Sequence, residues 1–178
     1  MSENKDVYQE AKSQMRLSER IAAFVPGFRG YKEKELRRES DKLIRNHLYL
    51  KLNEVRNDIK AIFQTLADRR YMDVLTDMDR LNAKMDRMVE KINHASYGYS
   101  GFFDVVKVKE ENLDRMIDFD NKLLDGINSL AAEVNTYRTE IAGNEFSNSK
   151  QRIQNIMTAL DSLEATFDSR QEIILGAT

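Results

Sequence analysis

The side chains able to do acid–base or metal chemistry are few in this 178-residue sequence, and they are awkwardly spaced. There are two histidines, His47 and His94, and no cysteine, so disulfides and thiolate metal sites are excluded and nucleophile–base pairs are scarce. A dimetal carboxylate bundle needs Glu-x-x-His, because residues i and i+3 aim both ligands at one metal between helices. The residues three before the histidines are Ile44 and Lys91; Glu90 stands four before His94, and only one such pair exists. Asp114, Asp118, Asn121 and Asp125 recur at helical spacing with Glu110 one turn earlier, a row of hard oxygen ligands that could hold Mg²⁺ as in all-helical hydrolases. The facing acidic motif such a centre requires is not evident. Asp73, Asp77 and Asp79 are interleaved with arginines, and the row reads better as a solvated face. There is no phosphate-cradling Gly-x-x-x-x-Gly-Lys-Ser/Thr, no Gly-x-Ser-x-Gly elbow and no His-Glu-x-x-His. The sequence predicts no enzyme, no catalytic residue, no metal site and no cofactor.

Long helices must carry whatever function there is. Residues 31–95 contain no Pro or Gly, and within them Leu48, Leu52, Val55, Ile59, Ile62 and Leu66 alternate at spacings of four and three, with Leu36, Leu43 and Ile44 extending the face. The phase changes near Ala67–Arg70, after which Tyr71, Val74, Met78, Leu81, Met85, Met88 and Ile92 form a heptad seam of the coiled-coil or bundle kind. Leu113, Ile117, Leu124, Ile127, Leu130, Val134 and Ile141 define a further helix, with Gly143 as the residue past its end. Phe146, Ile153, Ile156, Leu160, Leu163, Phe167 and Ile174 define the last, with Ser147 or Asn144 as its N-cap. The first twenty-five residues predict a shorter helix through Ala11, Leu17, Ile21 and Phe24 that ends before Pro26. The fold predicted is all-α: a single domain over 1–178, an elongated antiparallel bundle of four long helices (31–66, 70–95, 103–142 and 146–175) plus the short helix within 1–25. Short connections predict that consecutive helices are antiparallel neighbours.

Two seam positions bear on function. Asp120 occupies the heptad position of Leu113, Ile127 and Val134 and should point inward, where a carboxylate is costly unless paired. His47, Ser40 and Asn82 lie on or beside apolar seams and are its candidate partners; specification of register is the plain explanation and a pH-sensitive or ligand-binding polar layer the alternative. Met72, Met78, Met85 and Met88 suggest an adaptable peptide groove, but three of them lie on the seam and core packing accounts for those.

Net charge is −2, yet residues 11–45 carry +5 and residues 101–178 carry −6. Such polarity pairs the chain's own halves or recruits an oppositely charged partner. The basic stretch lacks the stacked aromatics of a nucleic-acid module, and its five acids repel phosphate, so nucleic-acid binding is disfavoured. The polar start MSENKDVYQEAK has no signal-type apolar core, and no stretch reaches the roughly 18 apolar residues of a membrane span, which predicts a soluble cytoplasmic protein.

Four of the seven glycines and the single proline fall in two short segments, Val25–Tyr31 and Ser96–Phe103. Counting Phe24, these segments hold seven of the fifteen Phe and Tyr residues. Breakers end helices, but solvated turns do not need rings. The strings VPGFRGYKEKELRRESDKL and YGYSGFFDVVKVKEENLDRMIDFD, which contain these segments and the helix starts after them, resemble a family of small helical prokaryotic proteins without an assigned activity. The resemblance brings no catalytic residue and no ligand. On the residues themselves, the favoured reading is a non-enzymatic interaction or scaffold module. It presents an aromatic and basic pole, formed by Phe28, Arg29, Tyr31, Tyr97, Tyr99, Phe102 and Phe103, to a protein partner. The competing use of the rings is to plug the bundle end. The alternative function is a peripheral membrane-surface adaptor acting through the N-terminal amphipathic helix, and behind it a metal-dependent hydrolase. A homo-oligomer is compatible with the same pattern.

Overall fold

The protein, seen as a computed structural model, is described over residues 19–28, 34–95 and 110–174, with side chains over 19–28, 39–95 and 115–172. The described residues form an all-α bundle: a short helix over 19–24 (α1), Lys34–Asp68 (α2), a 3₁₀ turn Met72–Val74 running into Leu75–His94 (α3), Glu110–Ala142 (α4) and Ser149–Ile174 (α5). At about 1.5 Å per residue, α2 is about 52 Å long. Each seam buries as its spacing predicts: Leu48 to Leu66 on α2, Val74 to Ile92 on α3, Ile117 to Ile141 on α4, and Ile153 to Phe167 on α5 join one contiguous apolar cluster. A buried Leu, Ile, Val, Met or Phe side chain contributes about 1.5–3 kcal/mol, and this cluster rather than helix propensity holds so charged a chain together.

The polar cross-links set the directions of the helices. Arg138 of α4 donates to Asp58 of α2 (2.9 Å), and Arg69, just past α2, donates to the Ile141 carbonyl at the end of α4 (2.7 Å). The two helices therefore run parallel. Lys84 of α3 meets Asp161 of α5, and one turn pair further along Lys91 meets Glu164 and Asp168, so these helices are also parallel. The main pairings are α2 with α3, α4 with α5, α2 with α4 and α3 with α5. This corrects one sequence expectation. Helices α3 and α4 are consecutive and antiparallel but sit at diagonal corners, because the bundle is two antiparallel hairpins laid side by side with like directions together.

Both hairpin turns end their first helix the same way. The Arg70 N–H bonds the Ala67 carbonyl and the Tyr71 N–H the Leu66 carbonyl; at the other turn Asn144 bonds Ile141 and Glu145 bonds Glu140. This interlocked pair of bonds requires a left-handed residue between them. Arg70 (φ 57°) and Asn144 (φ 64°) supply it. Gly143, expected in that role, is one residue too early. Asn tolerates the left-handed region better than most side chains, and its Oδ1 then accepts from Arg69 of the other turn. Tyr71 stacks on Phe146 at 5.1 Å and donates its hydroxyl to the Phe146 carbonyl (3.3 Å), completing a clasp between the turns. The last helix starts at Ser149, a few residues beyond the boundary its apolar spacing predicts.

Candidate functional site

The opposite end of the bundle holds the start of α2, the end of α3, the start of α4 and the end of α5. There the apolar seams are interrupted by charge. Arg170, on the seam of α5 between Phe167 and Ile174, is 1% exposed; Asp120 of α4 is 0% exposed and Asp41 of α2 is 1% exposed. The Arg170 Nε donates to Asp120 Oδ1 (2.5 Å), and its Nη2 stands 2.8 Å from Asp41 Oδ1 across the diagonal of the bundle. Asp41 Oδ2 accepts from Arg45 Nε (2.8 Å) one turn along α2. Two carboxylates and two guanidiniums thus form a neutral relay. That neutrality allows it to be dry, because an isolated buried charge costs several kcal/mol while a paired one is largely compensated. Ser40 and Asn121 are buried beside it.

Asp120 points inward as its heptad position predicts, but its bonded partner is Arg170. The hydrogen bond seen on its carboxylate comes from Arg170 and not from the predicted His47, Ser40 or Asn82. The signal for Arg170 and Asp41 was present: Arg170 occupies the seam step between Phe167 and Ile174, and Asp41 lies seven residues before Leu48. His47 is half-buried; burial and the neighbouring Lys51 hold its pKa below the usual imidazole value, against a weaker opposing pull from Glu54. His94 pairs with Glu90 at 3.1 Å on the surface.

Beside this layer, a cleft of about 500 Å³ opens between α2 and the last turn of α3. Lys42, Arg45, Glu39, Asn46 and Asn93 give it polar groups, and Leu43, Tyr49 and Ile92 apolar ones. Its described lining thus sets two cations and a carboxylate beside amides, a phenol and apolar side chains.

Of the predicted partner-binding residues, Arg29, Tyr31, Tyr97, Tyr99, Phe102 and Phe103 lie outside the described residues. Phe28 is the one of the set that is described. It is 8% exposed and belongs to the core cluster, so it packs the bundle rather than offering its face to a partner. Phe24, four residues earlier, is 41% exposed. On α1 the apolar residues Ile21 and Val25 are buried in the bundle, and Arg20 binds both oxygens of Asp125 (3.1 and 3.0 Å). Of the segment that the membrane reading assigned to lipid, Ile21 and Val25 are buried, while Ala22, Ala23 and Phe24 are exposed.

Over its described side chains, 118–125, the acidic row of α4 is engaged by cations and backbone. Asp125 pairs with Arg20, Asp118 with Lys122, and the Asn121 amide donates to the Ile117 carbonyl (2.9 Å). Among the described residues no three His, Asp or Glu side chains converge as metal ligands. Nor is any helix of the described residues long and apolar enough to cross a membrane.

No match was found for this chain among known protein families, curated proteins or solved structures.

Proposed function

We propose that this protein is a non-enzymatic interaction module whose aromatic and basic pole docks a protein partner. One observation carries the reading. The described chain leaves at Phe28 and at Ala95, and resumes at Lys34 and Glu110, all at the end of the bundle built around Arg170. Both breaker segments, with Arg29, Tyr31, Tyr97, Tyr99, Phe102 and Phe103, are therefore tethered to one pole. Tyr and Arg are the side chains that dominate interface energetics, because each combines a broad apolar face with directional hydrogen bonds.

The test uses the full chain with Arg29→Glu and Tyr99→Ser together, leaving Phe28 untouched because it is core. Affinity capture should lose a partner that the parent chain retains, with the melting temperature within about 2 °C of the parent, a span smaller than the effect of about 1 kcal/mol. A melting temperature that falls with each substitution, with the captured set unchanged, would assign the rings to plugging the end.

A further inference from the structure

We propose that α3 is the movable helix of this bundle: its C-terminal half is tethered to α5 by lysine–carboxylate pairs, and weakening those pairs lets α3 roll on α2 and part from α5 while α2, α4 and α5 stay together. This goes beyond the docking function and stands whether or not the pole binds a partner.

The four helix pairings are unequal, and α3 with α5 is the least extensive. The polar contacts seen across it are Lys84 with Asp161 and Lys91 with Glu164 (2.9 Å) and Asp168 (2.7 Å), in which all three carboxylates are open to solvent. Such pairs are weak individually and are screened by salt. The other three helices also share surface pairs, Arg138 with Asp58 and Arg152 with Glu133 and Glu140, but they have contacts of a further kind. Arg170 ties α5 to α4 and α2 from within the core, out of reach of counterions. Gly126 of α4 lets Leu163 of α5 approach so closely that an added Cβ would stand 3.2 Å from its Cδ1.

At its other end α3 is pinned by the turn clasp, Tyr71 on Phe146 and Arg69 on Asn144. A helix pinned at one end, and tied at the other by surface charges beside the buried Met88, Val89 and Ile92, has a pivot and a latch. Lys91 is the latch: burial works against its charge, but hydrogen bonds to Asp168 and Glu164 outweigh it and raise its pKa. Between α3 and α2, Arg56 and Lys60 approach Asp86 at only 3.7 and 3.4 Å, loose contacts that a rolling motion can exchange. The buried face of α3 includes Met78, Met85 and Met88. Unbranched, flexible side chains repack at little cost when a neighbour shifts.

The chain has no cysteine, so introduced pairs can be spin-labelled without background. Arg87→Cys with Ala165→Cys reports α3 against α5, and Asn57→Cys with Asn135→Cys reports α2 against α4; all four positions are exposed. Pulsed EPR at roughly 10 mM and roughly 1 M salt should show the long-distance population of the first pair rising about tenfold, with the second pair unchanged. Lys91→Glu should produce the same shift at low salt. Adding Glu164→Lys and Asp168→Lys to it should restore the short distance by reversing the polarity of the tether. A first pair that stays short at both salts and in Lys91→Glu overturns the proposal, as does lengthening of both pairs together, which would signal unfolding of the whole bundle.

Discussion

Arg170 stands where the seam of α5 passes from one apolar residue to the next, with a carboxylate on either side. Replacing it by alanine leaves Asp41 and Asp120 buried without it, and breaking a buried pair in this way costs about 3–5 kcal/mol. Urea unfolding should register that loss. It should also find that Asp41→Leu, Asp120→Leu and Arg170→Met combined recover most of the stability, because apolar groups of similar volume carry no desolvation cost. His47 gives a pH signature. Its folded pKa lies below 6.5, so the unfolded chain takes the proton first. Its effect on stability is absent well above that value and becomes a loss as pH falls through it. His47→Gln should flatten the decline of melting temperature between about pH 7.5 and about pH 5.5. An unaltered slope would show that other groups govern that range. At this scale the sequence announced that Asp120 is buried, since its heptad step says so. It could not announce Arg170 as the partner, because which helix faces which is decided by packing far along the chain.

At the scale of the helix, Leu81 and Met85 test the seam of α3. Both are fully buried, and truncation of either to alanine should cost about 2–5 kcal/mol in chemical denaturation. Losses below about 0.5 kcal/mol for both would mean that the core collapses around the gap or is filled otherwise. Helix seams were the most legible part of the sequence, because four-and-three spacing has only one geometric meaning over five or more turns. Helix ends were less so. Gly143 has the right chemistry for a left-handed stop, yet Asn144 fills the position, since its side chain also serves Arg69 of the neighbouring turn. A contact between two turns is invisible to any local rule.

The whole molecule has two unlike ends. One is closed by a clasp of two short turns; at the other, the described chain breaks off at Phe28 and Ala95 near a buried layer of paired charge. Periodicity made the number and length of the long helices legible, but the side-by-side docking of the two hairpins was not, because alternating helix directions suit either neighbour. That docking has a consequence for how the protein assembles. Each hairpin closes through contacts near in sequence, which form fast. The relay of Asp41, Arg170 and Asp120 draws on both hairpins and so assembles only when they meet. Their water must be stripped before their mutual attraction compensates it, which sets a barrier on the docking step and not on the hairpins. Two hairpins docked in the wrong orientation would strand unmatched charges in the core, at a cost of several kcal/mol that the matched arrangement does not carry.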